Sequence, residues 1–316
     1  MSFDHSISRR SVFKGAGGLA VASALGAGVA LGANTPAHAA GLDVVEHQTY
    51  GRMEYYKVST PSIAWKPRVN VLLPDGYDSG RRYPVLYLLH GGAQNFMKFD
   101  KEDDIRGLTA GRDLIVVMPD GGIAGWYCNP VTANLGPRNW ETFHIEELIP
   151  WVDATFRTFP EQAGRAVSGF SMGGFGALKY TAKYYGHFAS VSSHSGPASL
   201  RSINGAVAHW ANASSTIDLG GGTVYGTPWD EARVSADNPV ERIESYRGKR
   251  IFLVSGTEAF DVNEGFVLPT QREFAAALDR AGIHYERHEE PGGHFVRRER
   301  LQQDIDGVIA HLRKAG

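Results

Sequence analysis

Only one cysteine, Cys128, occurs among the 316 residues. An internal disulfide is therefore impossible, whatever the redox state of the compartment. A lone thiol with no C-x-x-C partner supplies no zinc-type ligand set, so neither a metal nor a cofactor is expected. Cys128 reads instead as a small buried hydrophobe. Charge of one sign is also lacking: 32 Lys and Arg stand against 34 Asp and Glu, a formal net charge of −2. That balance gives no reason to expect a nucleic-acid partner or an anionic membrane. Beyond the N-terminal region no apolar stretch is long enough to span a bilayer. No internal repeat is visible.

The N-terminal region has its own character. Ser8-Arg9-Arg10-Ser11-Val12-Phe13-Lys14 is a twin-arginine sequence, and the Gly/Ala-rich stretch from Gly15 to about Ala33 carries no charge. Ala37-His38-Ala39 supplies a small-x-small cleavage pattern. Residues 1–39 thus read as a Tat signal peptide cut after Ala39, which implies an extracytoplasmic protein. So many glycines and alanines make a poor transmembrane helix, and no cysteine follows the cut to carry a lipid, so no stable membrane anchor is expected. Removing Arg9, Arg10, Lys14 and Asp4 takes the formal charge from −2 to −4.

Three segments carry chemistry. Arg165-Ala166-Val167-Ser168 runs into Gly169-Phe170-Ser171-Met172-Gly173 and then into Gly174-Phe175-Gly176-Ala177-Leu178. Strand, G-x-S-x-G and helix in that order form a nucleophile elbow, with Ser171 pushed out above the sheet. The Met172 amide, at the helix start, is placed for an oxyanion. Upstream, the apolar run Tyr83-Pro84-Val85-Leu86-Tyr87-Leu88-Leu89 ends in His90-Gly91-Gly92-Ala93. The loop after such a strand gives the second oxyanion amide, here that of Gly92. Near the C-terminus, Glu290-Pro291-Gly292-Gly293-His294 puts a histidine on a turn after the last strand, and His294 is the expected general base. His284, His288 and His311 read as ordinary surface or packing residues.

The acid that orients the histidine should lie between Ser171 and His294. The loop 256–264 offers three carboxylates, and Asp261 is the first choice, Glu258 the second and Glu264 the third. Substrate contacts are expected from His90, Gly91, Phe170 and Trp126. The last of these sits in the Gly-rich loop 120–127 with Tyr127, where the aromatics either line an acyl or aromatic pocket or anchor the loop.

Strands are expected at about 54–58, 68–73, 85–89, 113–118, 164–168, 189–192, 250–254 and 283–289. Helices are expected at about 142–156, 172–185, 271–281 and 297–312. Their alternation predicts an α/β chain, a mostly parallel central sheet with helices on both faces, as one domain over residues 40–316. Residues 196–246 break the alternation after the sixth strand and read as an irregular lid or a helical insert.

With these segments in view, the chain resembles the esterase D / antigen 85 branch of α/β-hydrolases. The likeness rests on Arg68-Val69-Asn70-Val71-Leu72-Leu73-Pro74, Leu88-Leu89-His90-Gly91-Gly92, Trp140-Glu141-Thr142-Phe143 with Glu146-Glu147-Leu148, and Ser168-Gly169-Phe170-Ser171-Met172-Gly173-Gly174. It implies an α/β-hydrolase fold and a triad acid from the loop after Gly256-Thr257, with the spacing to Pro269 favouring Asp261. The trehalose-using members carry an acid and an arginine where this chain has His90-Gly91-Gly92-Ala93, and Ser-Trp after the histidine where it has Phe295-Val296. The expected function is a secreted serine esterase acting on a small-molecule or lipid ester. The alternatives are an acyltransferase on cell-wall or storage lipids and a non-enzymatic secreted binding protein.

Overall fold

Strands buried on both faces show no polar alternation, and the centre of the sheet is built from them. Val85–Leu89 (β4), Ile115–Pro119 (β5), Arg165–Phe170 (β6) and Ser190–His194 (β7) are buried at every position in the computed structural model, which describes residues 41–258 and 260–316. The twin-arginine segment and the cut expected after Ala39 lie outside the described residues. Asp43–Tyr50 (β1), Met53–Ser59 (β2) and Arg68–Leu72 (β3) precede the centre, and Arg250–Gly256 (β8) and Glu286–Glu290 (β9) follow it. The nine strands lie in the order β1-β2-β3-β5-β4-β6-β7-β8-β9. Pairing is antiparallel from β1 to β5 through β3, and parallel from β5 onward.

The helices are Lys98–Lys101 (α1), Ile105–Leu108 (α2), Trp140–Thr142 (α3), Ile149–Thr155 (α4), Met172–Lys183 (α5), Ser202–Leu219 (α6), Glu231–Asp237 (α7), Val262–Ala281 (α8) and Arg298–His311 (α9). A π-helical stretch, Phe143–Leu148, joins α3 to α4. Alternate residues of β4 feed two separate cores. Val85, Tyr87 and Leu89 join Trp151, Phe175, Leu178 and Phe274 on one face, and Leu86 and Leu88 join Phe99, Leu301, Ile305 and Val308 on the other. This is the period-2 geometry of a strand sandwiched between helical layers.

The second face also holds a buried charge. Asp304 of α9 accepts from Ser168 Oγ at 2.9 Å, Ser192 Oγ at 2.5 Å, His194 Nε2 at 3.1 Å and Arg250 Nη1 at 2.8 Å. Burial alone would raise its pKa, but His194 and Arg250 outweigh that and hold the carboxyl well below the usual range.

Two parallel registers place the functional loops. Leu89 pairs with Gly169, so the loops leaving β4 and β6 start side by side. Gly256 pairs with Glu290, so the loops leaving β8 and β9 do the same. β9 begins at Glu286, three residues later than expected, and α8 begins at Val262, nine residues earlier, running through Pro269. Residues 196–246 hold α6, α7 and the 3₁₀ stretch Pro239–Tyr246. Among the described residues no helix is long and apolar enough to cross a membrane.

Candidate active site

Ser171 has φ +54° and ψ −120°, an unfavourable region for a residue with a side chain. The surrounding glycines make the turn possible: a Cβ on Gly169 would collide with the Gly173 backbone, and one on Gly173 with the backbone of Leu89 and His90. The Ser171 amide donates to His194 O at 2.9 Å, which ties the elbow to the end of β7. Met172 is the first residue of α5, so its amide has no intrahelical acceptor.

His294 reaches this serine. Its Nε2 lies 2.7 Å from Ser171 Oγ, and its Nδ1 lies 3.1 Å from Glu264 Oε1. Glu264 is almost fully buried, and its Oε2 makes no hydrogen bond. Phe170 holds the imidazole from the side, ring centroids 4.9 Å apart.

The expected acid, Asp261, is elsewhere. It is the N-cap of α8: Oδ1 accepts from the amides of Asn263 at 2.9 Å and Glu264 at 3.1 Å, and Oδ2 accepts from the His294 amide at 2.9 Å. Burial pushes its carboxyl up, but the amides of His294, Glu264 and Asn263 outweigh this and bring it below the ordinary aspartate value. Its oxygens are thus spent on backbone, and the carboxylate facing the imidazole is that of Glu264. The second candidate, Glu258, is exposed and meets the histidine loop only through its amide, which donates to Gly292 O at 3.1 Å. Asp261-x-x-Glu264 is an N-cap followed by an acid at the third helical position, a pattern that marks a helix start.

The histidine loop is clamped from below. The Arg297 guanidinium donates to the carbonyls of Pro291, Gly293 and Phe295, each at 3.2 Å.

A cavity of about 450 Å³ opens over Ser171. Gly92, Ser171, Met172 and His294 line it, with Ile123, Trp126, Phe170, Trp210 and Ile217 as apolar walls. The Gly91 amide donates to Gln94 Oε1 at 3.0 Å and the Ala93 amide to Ile123 O at 2.7 Å, while the Gly92 amide between them engages no acceptor among the described residues. Of the four residues expected to contact substrate, Trp126 and Phe170 line the cavity and the other two do not. His90 is buried beneath the loop, with Nδ1 2.8 Å from Gly91 O and Nε2 accepting from the Gly121 amide at 2.9 Å, so it supports the loop and does not face the cavity. Gly91 is not in the cavity wall either; it packs so closely on Phe170 and Ser171 that a Cβ would press on both.

Trp210, Ser214 and Ile217 of α6 were not anticipated. Their spacing, i, i+4 and i+7, is one face of a helix. Trp126 Nε1 donates to Ser214 Oγ at 2.9 Å, and the Trp126 and Trp210 rings meet edge to face at 5.1 Å.

Behind the elbow lies an ionic cluster. Glu141 accepts from Lys179 at 2.8 Å, and Lys183 lies 2.7 Å from it. Burial would raise the Glu141 carboxyl, but Lys179 and Lys183 outweigh that and hold it below the usual glutamate range. Lys179 also donates to Tyr127 O at 2.7 Å, so the Trp140-Glu141-Thr142-Phe143 block fixes both the serine helix and the loop that carries Trp126. Burial pushes the adjoining Cys128 thiol up to about 12.

The sheet order, the elbow and the loop positions define an α/β-hydrolase. The family model described as "Putative esterase" matches residues 60–306, and the chain belongs to that family. Over 287 residues it is 63% identical to the esterase Rv1288 of Mycobacterium tuberculosis, covering 87% of this chain and 63% of that protein. The chain thus spans less than two thirds of that relative's length. It is 26% identical over 255 residues to the MPT51/MPB51 antigen of the same species, covering 74% of this chain and 80% of the antigen. Among solved structures, an S-formylglutathione hydrolase from Agrobacterium tumefaciens superposes with a TM-score of 0.69 at 17% identity, covering 86% of this chain and 100% of that one. Mycobacterium tuberculosis MPT51 gives 0.69 at 20% identity, covering 85% and 99%. These likenesses show the fold, and with the sequence matches they place the chain in the esterase D / antigen 85 branch.

Proposed function

We propose that this protein is an exported serine hydrolase of carboxylic esters. One observation carries the reading: Ser171, His294 and Glu264 form a continuous hydrogen-bonded relay, 2.7 Å and 3.1 Å long at its two links, beneath a cavity with apolar walls. His294 takes the proton of Ser171 as the hydroxyl attacks the ester carbonyl. Glu264 holds the proton on Nδ1 and stabilises the imidazolium while it exists. The amides of Gly92 and Met172 receive the tetrahedral anion. The imidazolium protonates the departing alcohol, leaving an acyl-serine. Water, deprotonated by His294, then releases the acid and restores Ser171.

The name of the 63%-identical relative, an esterase, supports the reaction class. The twin-arginine sequence supports export in the folded state. Changing Arg9 and Arg10 to lysine should retain the uncut precursor in the cytoplasm, as seen by cell fractionation.

The direct test pairs the chain from Ala40 with its Ser171→Ala variant on p-nitrophenyl esters of increasing chain length, with and without glycerol. Free acid from the parent and none from the variant is the expected result. Acceptor-dependent new ester in place of free acid would make the protein an acyltransferase, and no turnover by the parent would remove the hydrolase reading.

A further inference from the structure

The antiparallel end of the sheet has two unlike faces. Tyr56, Val58, Val69 and Val71 join the core around Trp151. On the opposite face the cross-strand pair Met53–Leu72 belongs to the second core with Phe99 and Ile105. The next two rows on that face, Gln48–Tyr55–Asn70 and Glu46–Lys57–Arg68, are polar, and they line a cavity of about 410 Å³ with Phe96 and Lys101. Asn70 is wholly buried there. Its amide nitrogen donates to Phe96 O and Met97 Sδ, each 3.2 Å away, which fixes the side chain, while its Oδ1 accepts nothing among the described residues. An orphaned buried acceptor is costly, so its presence in a cavity wall points to a donor from outside the chain. Tyr55 is held too: its hydroxyl donates to Asp100 Oδ2 at 2.9 Å and accepts from Arg106 Nη2 at 2.7 Å. Lys57 is answered by Glu46 Oε1 at 2.7 Å. The exposed Arg68 lies 5.7 Å from the centre of the Phe96 ring, and neither it nor the exposed Lys101 meets a carboxylate at ion-pair distance among the described residues.

We propose that this cavity binds an acidic saccharide, a sugar ring bearing a carboxylate or a phosphate. A sugar hydroxyl donates to Asn70 Oδ1, the acidic group pairs with Arg68 and Lys101, and the C–H face of the ring lies on the Tyr55 and Phe96 rings. A bare anion would leave the aromatic rings idle, and a neutral sugar would leave the two cations without a counter-charge. A nucleobase is best held between parallel rings, whereas Tyr50 and Tyr55 meet edge to face with their planes 73° apart. The volume is that of a small-ligand site. This cavity and the one over Ser171 share no lining residue, so the proposal stands independently of the ester-hydrolase reading.

The test is titration calorimetry on the chain from Ala40 with trigalacturonate, glucose 6-phosphate, maltotriose, inorganic phosphate and ATP. Trigalacturonate or glucose 6-phosphate should bind at least about tenfold more tightly than the other three, and the better of the two names the acidic group. Arg68→Ala combined with Lys101→Ala should weaken that binding about tenfold or more, and Asn70→Val should weaken it while both cations remain. An unchanged melting temperature for the exposed double variant reports that its fold is intact. If Asn70→Val does not fold, the double variant decides alone. Binding of neither acidic sugar would overturn the proposal. So would equal affinity for maltotriose, which would make the cations irrelevant, or for inorganic phosphate or ATP, which would make the cavity a general anion or nucleotide site. Full affinity in the double variant, or in a folded Asn70→Val protein, would place any binding elsewhere and would overturn it as well.

Discussion

Glu264 and Asp261 are three residues apart, both within reach of the histidine loop, yet they do different work. Glu264→Gln keeps the shape and removes the charge that stabilises the imidazolium, so kcat should fall about 10²–10⁴-fold with KM nearly unchanged. Asp261→Asn keeps an oxygen for the amides of Asn263 and Glu264, so its kcat should fall by less than about tenfold. Asp261→Ala removes the cap and should cost about 1 kcal/mol in chemical denaturation. Comparable kcat losses for Glu264→Gln and Asp261→Asn in steady-state kinetics would defeat this division. The sequence could pair Ser171 with His294, because each stands on a turn with its own signature. It could not separate three carboxylates in one loop, since capping and orienting a histidine call for the same residue types. Cys128 is simpler: with its thiol pushed up to about 12 by burial, it should react with a disulfide reagent only on unfolding.

At the level of elements, α5 is held by charge as well as by packing. Glu141→Ala leaves buried Lys179 with Asp237, 3.5 Å away, as its remaining carboxylate, so the fold should be destabilised, but by less than the about 3–5 kcal/mol of a charge left wholly unpaired. The pH dependence has a definite sign. Lys179 and Lys183 hold the folded-state Glu141 carboxyl below the roughly 4.3 of a free glutamate, so its contribution is complete above that value and lost as pH falls below it. Melting temperatures should drop between pH 5 and pH 2, and Glu141→Gln should flatten that limb. Conventional alternation made β4 to β8 and α5 legible. α6 was not, because Asn204, Asn212, Ser214, Ser215 and Thr216 mask its apolar face. The structure shows how they are tolerated: Ser214, Ser215 and Thr216 return their hydroxyls to carbonyls of their own helix. α8 was read short because Pro269 interrupts the helical ladder, and the periodicity resumes only beyond it.

Across the whole molecule, the reacting groups come from two pairs of neighbouring strands, β4 beside β6 and β8 beside β9. Ser171 follows β6, Gly92 follows β4, Glu264 follows β8 and His294 follows β9. A chain lacking residues 298–316 should be insoluble or inactive, measured as soluble yield and ester turnover, although it retains all four of those residues. The reason is that α9 fills the second core with Leu301, Ile305 and Val308 and supplies Asp304 to Ser168, Ser192, His194 and Arg250.

That single carboxylate has a temporal consequence. A ribosome delivers Asp304 after every strand of the sheet, so the polar groups of β6, β7 and β8 wait for a partner until α9 has been made. His194, whose imidazole is one of these groups, also steadies Ser171 through its carbonyl. Hydrolytic competence should therefore arrive abruptly, once α9 has emerged, and a nascent chain stalled short of that point would be a client for chaperones rather than a weak enzyme.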